Sequence, residues 1–325
     1  MRLTLTTLRP HLPIVSWAVN HEDVLLRRVF ADVEAGSYVD VGANHPTFHS
    51  LTKTFYDIGW SGINIEPLRA MYESLVLERT RDINLNIACS DAPGLVTLYT
   101  PGNYDELSTL IPDSAFLGPQ DGVTSSVVEA RPLREVVDEY VSGDVHFLKI
   151  DVEGAELQVL KGADLSRFRP WVIVVELARD GHLQPEKDEI LGLLDAAGYD
   201  DVFFDGINEY FLDRSRKEQL GHKFSAPVNV NDNYIQGDDE VHQAFLDIGV
   251  LLGCENPSSA AETYLRVEAL LADRIRFENI WRELSLAQRR IGILLGATDP
   301  DDPAETYARA AIALNGPARG RRRAT

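Results

Sequence analysis

An apolar strand that runs straight into an acid and a glycine turn constrains this chain more than any other feature. The residues are Tyr38-Val39-Asp40-Val41-Gly42-Ala43-Asn44, and a second apolar run ends in Ile65-Glu66-Pro67, 26 residues after Asp40. Short runs rich in β-branched residues alternate with longer helical patterns, which predicts an α/β fold: a doubly wound, mostly parallel sheet with helices on both faces. In such a sheet, ligands sit at the carboxyl ends of strands where the strand order reverses. A carboxylate at Glu66 can accept both hydrogen bonds of a ribose diol there. Gly42 permits a turn whose backbone approaches a ligand with no β-carbon in the way.

The predicted strands are Ser37–Val41, Gly62–Ile65, Asn84–Ala88, Val96–Tyr99, Val145–Ile150, Trp171–Glu176 and Val202–Asp205, with Phe211–Leu212 as an antiparallel edge. The predicted helices are Leu68–Arg79, Leu133–Tyr140, Ala155–Lys161 and Lys187–Ala197, the last ending at Gly198.

A dinucleotide-binding dehydrogenase shares this layout, but its phosphate loop wants G-x-G-x-x-G. Here the three positions are Gly42, Asn44 and Thr47, so two glycines are absent. Such a loop suits a nucleoside without a pyrophosphate, which favours S-adenosylmethionine over NAD. A plain structural turn is the bland alternative, and Glu66 at the next strand end weighs against it.

The formal charge of −20 argues against nucleic acid as a partner and against a general attraction to anionic lipid. No run of about 18 apolar residues is present, so no membrane span is expected, and the N-terminus carries no signal-peptide core. Cys89 and Cys254 give no disulfide or zinc pattern. A cytoplasmic protein is the expectation.

Several segments together resemble the FkbM-like family of S-adenosylmethionine-dependent methyltransferases. They are Asn20-His21-Glu22-Asp23-Val24-Leu25-Leu26, the Tyr38–Asn44 turn, Gly59–Pro67, Ala88-Cys89-Ser90-Asp91, Phe147-Leu148-Lys149-Ile150-Asp151-Val152-Glu153-Gly154-Ala155-Glu156, and Asp205-Gly206-Ile207-Asn208 with Tyr210-Phe211. The resemblance spans roughly Ser16 to Asn233. It departs from the family at His45-Pro46, where many members continue G-A-N-x-G. It implies a class I, Rossmann-like methyltransferase fold and cofactor contacts from Asp40, Gly42, Asn44, Glu66, Ser90 and Asp91. Asn20 and Asp23 are read as covering the amino-acid end of the cofactor, with a helix-starting acid as the alternative for Asp23.

Methyl transfer to a hydroxyl gains from a general base or a metal that acidifies the acceptor. Asp151, just past its strand, and Glu176, ending the next, are the candidates for either role, with a divalent cation such as magnesium held between them. Glu153 and Glu156 join Asp151 at a helix start, which acids also favour through the helix dipole. His45 is a third candidate base, His182 carries the same weight, and Lys149 is read as an ion-pair partner that orients Asp151.

The expected organisation is a lead-in at 1–15, a methyltransferase domain at 16–224, a linker with a short helix at 225–259, a helical extension at 260–314 and a disordered basic tail at 315–325. The longest helix of the extension is read at Ala260–Leu295, with Trp281 in packing, in a homo-oligomer seam or in an acceptor lid. The expected reaction is S-adenosylmethionine-dependent methylation of a hydroxyl on a sugar or glycosylated metabolite. N-methylation of a small molecule, or a non-catalytic cofactor-binding module, are the alternatives.

Overall fold

The computed structural model describes residues 14–101, 108–111, 122–179, 182–183, 185–237 and 239–254, together with Arg266 and Arg289. The predicted helix Ala260–Leu295 and the arginine tail lie outside these, apart from those two arginines. The chain divides into two compact units, Ala18–Pro227 and Met1–Trp17 with Val228–Thr325. In chain order the strands are β1 (Ile14–Ser16), β2 (Ser37–Val41), β3 (Ser61–Ile65), β4 (Ile83–Leu85), β5 (Ala88–Ser90), β6 (Gly94–Thr100), β7 (Thr124–Pro132), β8 (Phe147–Ile150), β9 (Val172–Glu176), β10 (Ala178–Arg179), β11 (His182–Leu183), β12 (Tyr199–Phe204), β13 (Asn208–Asp213) and β14 (Tyr234–Gln236). The helices used below are α1 (Glu22–Val29), α2 (Lys53–Asp57), α3 (Arg69–Glu78), α4 (Leu133–Tyr140), α5 (Glu156–Gly162), α6 (Lys187–Ala196) and α7 (Asp239–Leu252).

In the larger unit a seven-stranded sheet has the order β12-β13-β9-β8-β2-β3-β4. Strands β4, β3, β2, β8 and β9 pair in parallel, and the order runs outward in both directions from β2. β13 is antiparallel to both of its neighbours, β12 and β9. This corrects the expectation that Phe211–Leu212 closes the sheet: β13 is interior and β12 is the edge. A tight turn after β12 sends the chain back into the slot beside β9, which puts the most apolar stretch, Tyr210-Phe211-Leu212, fully inside.

The expected strand Asn84–Ala88 divides in two. β4 stays in the main sheet, whereas β5 pairs with β7 in a separate three-stranded sheet of order β5-β7-β6. β7 was not expected from the sequence. Its residues 124–127 are all exposed, so it lacks the alternation that marks a half-buried strand. α1 bears out the alternative reading of Asp23 as a helix-starting acid, whereas α2, five residues long, is not marked in the sequence.

Alternate side chains of the central strands enter two packed groups. Val39, Val41, Leu148, Ile150, Ile173 and Val175 share a core with Leu157 and Leu160 of α5 and Ile190 and Leu194 of α6. On the other side of β2 and β8, the ring of Phe147 lies 5.5 Å from Tyr38, 6.1 Å from Phe30 and 4.8 Å from Phe55. Strands covered on both sides carry near-continuous apolar sequence. Each such side chain contributes about 1.5–3 kcal/mol on burial. Asp40 and Lys149 break this pattern, and both fall at the carboxyl ends of their strands.

In the smaller unit β1 pairs in parallel with β14, and α7 follows. Among the described residues no helix is long and apolar enough to cross a membrane.

Candidate active site

A cavity of about 290 Å³ opens at the carboxyl ends of β2, β3, β8 and β9. Its lining includes Gly42, Ala43, Asn44, Glu66 and Asp151, from the turns that follow β2, β3 and β8, and Glu176, the last residue of β9. This is the edge at which an α/β sheet presents ligands.

The turn after β2 is held from below by hydrogen bonds from the Gly42 and Ala43 N–H groups to the carbonyl of Ile65, at 3.0 and 3.2 Å. Gly42 has φ +82° and Asn44 φ +49°, backbone conformations that suit glycine and asparagine. The need for glycine at 42 has a cause other than the expected one. A β-carbon there would stand 1.8 Å from the carbonyl oxygen of Asp151, so the turn after β8 fills the space. Glu66 follows β3 and is buried, at 4 % exposure. Its Oε2 accepts the Asn44 N–H at 2.8 Å and its Oε1 the Leu68 N–H at 2.6 Å. Each oxygen keeps acceptor capacity, since a carboxylate offers about four lone-pair sites. Burial pushes the Glu66 carboxyl up to about 7 against the pull of these two N–H groups.

The second half of the site is a carboxylate group around Lys149. The ammonium donates to the Gly42 carbonyl at 3.0 Å and lies 3.4 Å from Asp40 Oδ1 and 3.3 Å from Asp151 Oδ2. Burial disfavours its charge, but Asp40 and Asp151 outweigh that and hold Lys149 firmly protonated. The ion pair expected between Lys149 and Asp151 is therefore present, with a second partner in Asp40. Glu176 is pushed up to about 10, first by burial and then by the Asp151 charge beside it. Glu153 has φ +58°, and its carbonyl accepts the Thr109 hydroxyl at 2.7 Å. One oxygen from each of Asp151, Glu153 and Glu176 lies within 4.8 Å of the others. Glu156 is fully buried at the start of α5 and is pushed up to about 7 by burial. Its Oε1 accepts the Val152 and Gly154 N–H groups, both at 3.1 Å, which fixes the turn that presents Asp151 and Glu153.

Of the residues named from the sequence, Gly42, Asn44, Glu66, Lys149, Asp151, Glu153 and Glu176 line the cavity. Asp40 lies beneath it, fully buried. Asn20 is not among the lining residues; its side chain donates to the Asp205 carbonyl at 3.0 Å. Ser90 and Asp91 are also outside the lining, which runs instead through Ile87, Ala88 and Cys89. Asp23 lies in the first turn of α1, where its carboxylate accepts the Thr54 hydroxyl at 2.6 Å. His45 is not a lining residue either. Its Nδ1 accepts the N–H groups of Thr47 and Phe48 at 3.1 and 3.0 Å, which engages that nitrogen in the turn. The lining histidine is His49, with φ +58°, and no sequence pattern marked it. Leu98, Ser108 and Leu110 complete one wall and were equally silent in the sequence.

No curated protein matches the chain. Residues 40–200 match the family described as the methyltransferase FkbM domain, a span of just under half the chain that holds every lining residue except Val19. Over residues 40–200 the chain is therefore similar to the methyltransferase FkbM domain, the family its motifs resemble.

Proposed function

We propose that this methyltransferase uses S-adenosylmethionine and methylates a hydroxyl oxygen of a saccharide or glycosylated metabolite. The observation that carries the reading is Glu66, a buried carboxylate at the second strand end with its head braced by the turn it faces. A nucleoside fits this arrangement: its ribose hydroxyls meet the open acceptor sites of Glu66, and no pyrophosphate needs a glycine-rich loop. The strand order running outward from β2 accords with a doubly wound class I fold.

When bound, the cofactor supplies an electrophilic methyl group on its sulfonium. The protein aligns the acceptor oxygen with that carbon and removes the hydroxyl proton as the new bond forms. Asp151, at 34 % side-chain exposure and paired with Lys149, is the base in this reading. Glu176 holds its own proton across neutral pH and serves as a hydrogen-bond donor, not as a second base. A second reading keeps a divalent cation such as magnesium on Asp151, Glu153 and Glu176, favoured by their mutual spacing.

Calorimetric titration with S-adenosylmethionine, S-adenosylhomocysteine and NAD tests the cofactor, with and without magnesium or a chelator. Micromolar binding of the first two and none of NAD is expected. Tight NAD binding, or no binding of any of them, would overturn the reading. A panel of saccharides with methyl-labelled S-adenosylmethionine then separates oxygen from nitrogen acceptors.

A further inference from the structure

We propose that Asp40 is a positioning residue and not a cofactor ligand. It fixes the Lys149 ammonium beneath the cofactor turn, and through Lys149 it fixes both the Gly42 carbonyl and the Asp151 carboxylate. The inference rests on the S-adenosylmethionine reading above and changes the role that family resemblance implies for this residue.

The parallel register of β2 and β8 places Asp40 directly beside Lys149. Asp40 is fully buried and absent from the cavity lining, while Lys149 reaches that lining. One Asp40 oxygen, Oδ2, accepts the Thr52 hydroxyl at 2.8 Å. That hydroxyl oxygen in turn accepts from Arg79 at 3.1 Å. Arg79 is itself buried, donating to the Tyr38 hydroxyl at 2.7 Å and paired with Asp82 at 3.0 Å. The other oxygen, Oδ1, makes no hydrogen bond among the described residues and faces Lys149. A buried carboxylate oxygen is tolerated when an opposite charge compensates it, and here the ammonium does so. Turning Asp40 toward the cavity would take one of its two carboxylate partners from Lys149 and break the Thr52 bond.

Lys149 has three N–H donors, and three oxygens surround it. Two of them, Gly42 O and Asp151 Oδ2, belong to the two turns that form the cavity floor. The third, Asp40, belongs to the scaffold. Asp40 thus anchors a cation that ties the cofactor turn to the catalytic turn.

A binding cycle needs no acceptor. The affinity for S-adenosylhomocysteine is measured by calorimetry on the full chain, on Asp40→Asn, on Lys149→Met and on the double variant. Asp40→Asn is expected to weaken binding about tenfold, the lower end of what the loss of an outer, orienting partner costs at metal sites. In the Lys149→Met background the same change should have no effect or restore affinity, because it removes a carboxylate left buried without its counter-charge. An equal loss in both backgrounds would mean a direct cofactor contact and overturn the proposal. Unchanged affinity in Asp40→Asn, with only a lowered melting temperature, would overturn it as well, leaving a purely structural residue.

If the lysine variant does not fold, Thr52→Val gives a second test, since it keeps the charges of Asp40 and Lys149 and removes the bond to Oδ2 together with the Arg79 bond to the same hydroxyl. Affinity reduced by about two- to fivefold supports the proposal, and wild-type affinity there alongside a weakened Asp40→Asn overturns it. No binding by the unmodified protein would instead defeat the cofactor reading, and this inference with it. Binding by the unmodified protein with equal losses defeats this inference alone.

Discussion

The carbonyl oxygen of Asp151 lies 1.8 Å from the point where a β-carbon on Gly42 would stand. The two turns that face the cavity therefore touch through bare backbone, and the glycine is required by the protein's own packing. Gly42→Ala must displace the Asp151 turn and also hold alanine at φ +82°. The left-handed conformation alone costs about 1–2 kcal/mol. Chemical denaturation should show a loss of at least about 2 kcal/mol, and loss of S-adenosylhomocysteine binding should accompany it.

Glu66 should carry cofactor affinity with little effect on the fold. Glu66→Gln keeps its volume but turns one acceptor oxygen into a donor that faces the N–H of Asn44 or Leu68. Calorimetry should show affinity for S-adenosylhomocysteine reduced about tenfold or more, with an unchanged circular dichroism spectrum. Wild-type affinity would remove Glu66 from the ribose role.

Binding should also depend on pH through the same group. With its carboxyl near 7 in the empty site, Glu66 is largely protonated at pH 6. Ribose hydroxyls that donate to it favour the ionised form, so binding releases a proton near neutrality. Affinity should fall as pH drops from 8 to about 6. Titrations in buffers of different ionisation enthalpy measure the proton released, and Glu66→Gln should abolish it.

Stability should move the opposite way. Glu22, Glu66 and Glu156 are each pushed by burial from 4.5 to about 7. Their raised values mean that the folded state binds these protons more tightly than the unfolded chain does. The resulting stability is fully present below pH 4.5 and is lost as pH rises through about 7. Each group contributes on the order of 1–3 kcal/mol. Denaturation at pH 5.5 and pH 8 should show the protein more stable at the lower value, and Glu156→Gln should flatten the slope.

Asp151→Asn should separate binding from chemistry. The amide keeps the turn and its contact with Gly42 but cannot take the acceptor proton. Once an acceptor is in hand, turnover should fall about 10²–10⁴-fold with cofactor affinity retained. Normal turnover would exclude Asp151 as the base.

The local parts are legible along the chain: the strands that lead into Glu66 and Asp151, the strand that ends in Glu176, and the glycine turn at 42–44. These are visible because strand periodicity and turn chemistry act over a few residues. Tertiary structure decided which of these ends meet. The register that sets Asp40 beside Lys149 joins strands more than 100 residues apart, and no local pattern encodes it. The same is true of the Asp151 carbonyl against Gly42, the insertion of β13 between β9 and β12, and the entry of His49 and Leu110 into the wall. Protonation was likewise a tertiary outcome. Glu66, Glu156 and Glu176 are ordinary carboxylates in the sequence, and burial, to which the nearby charges of Asp40 and Asp151 add, raises their proton affinity.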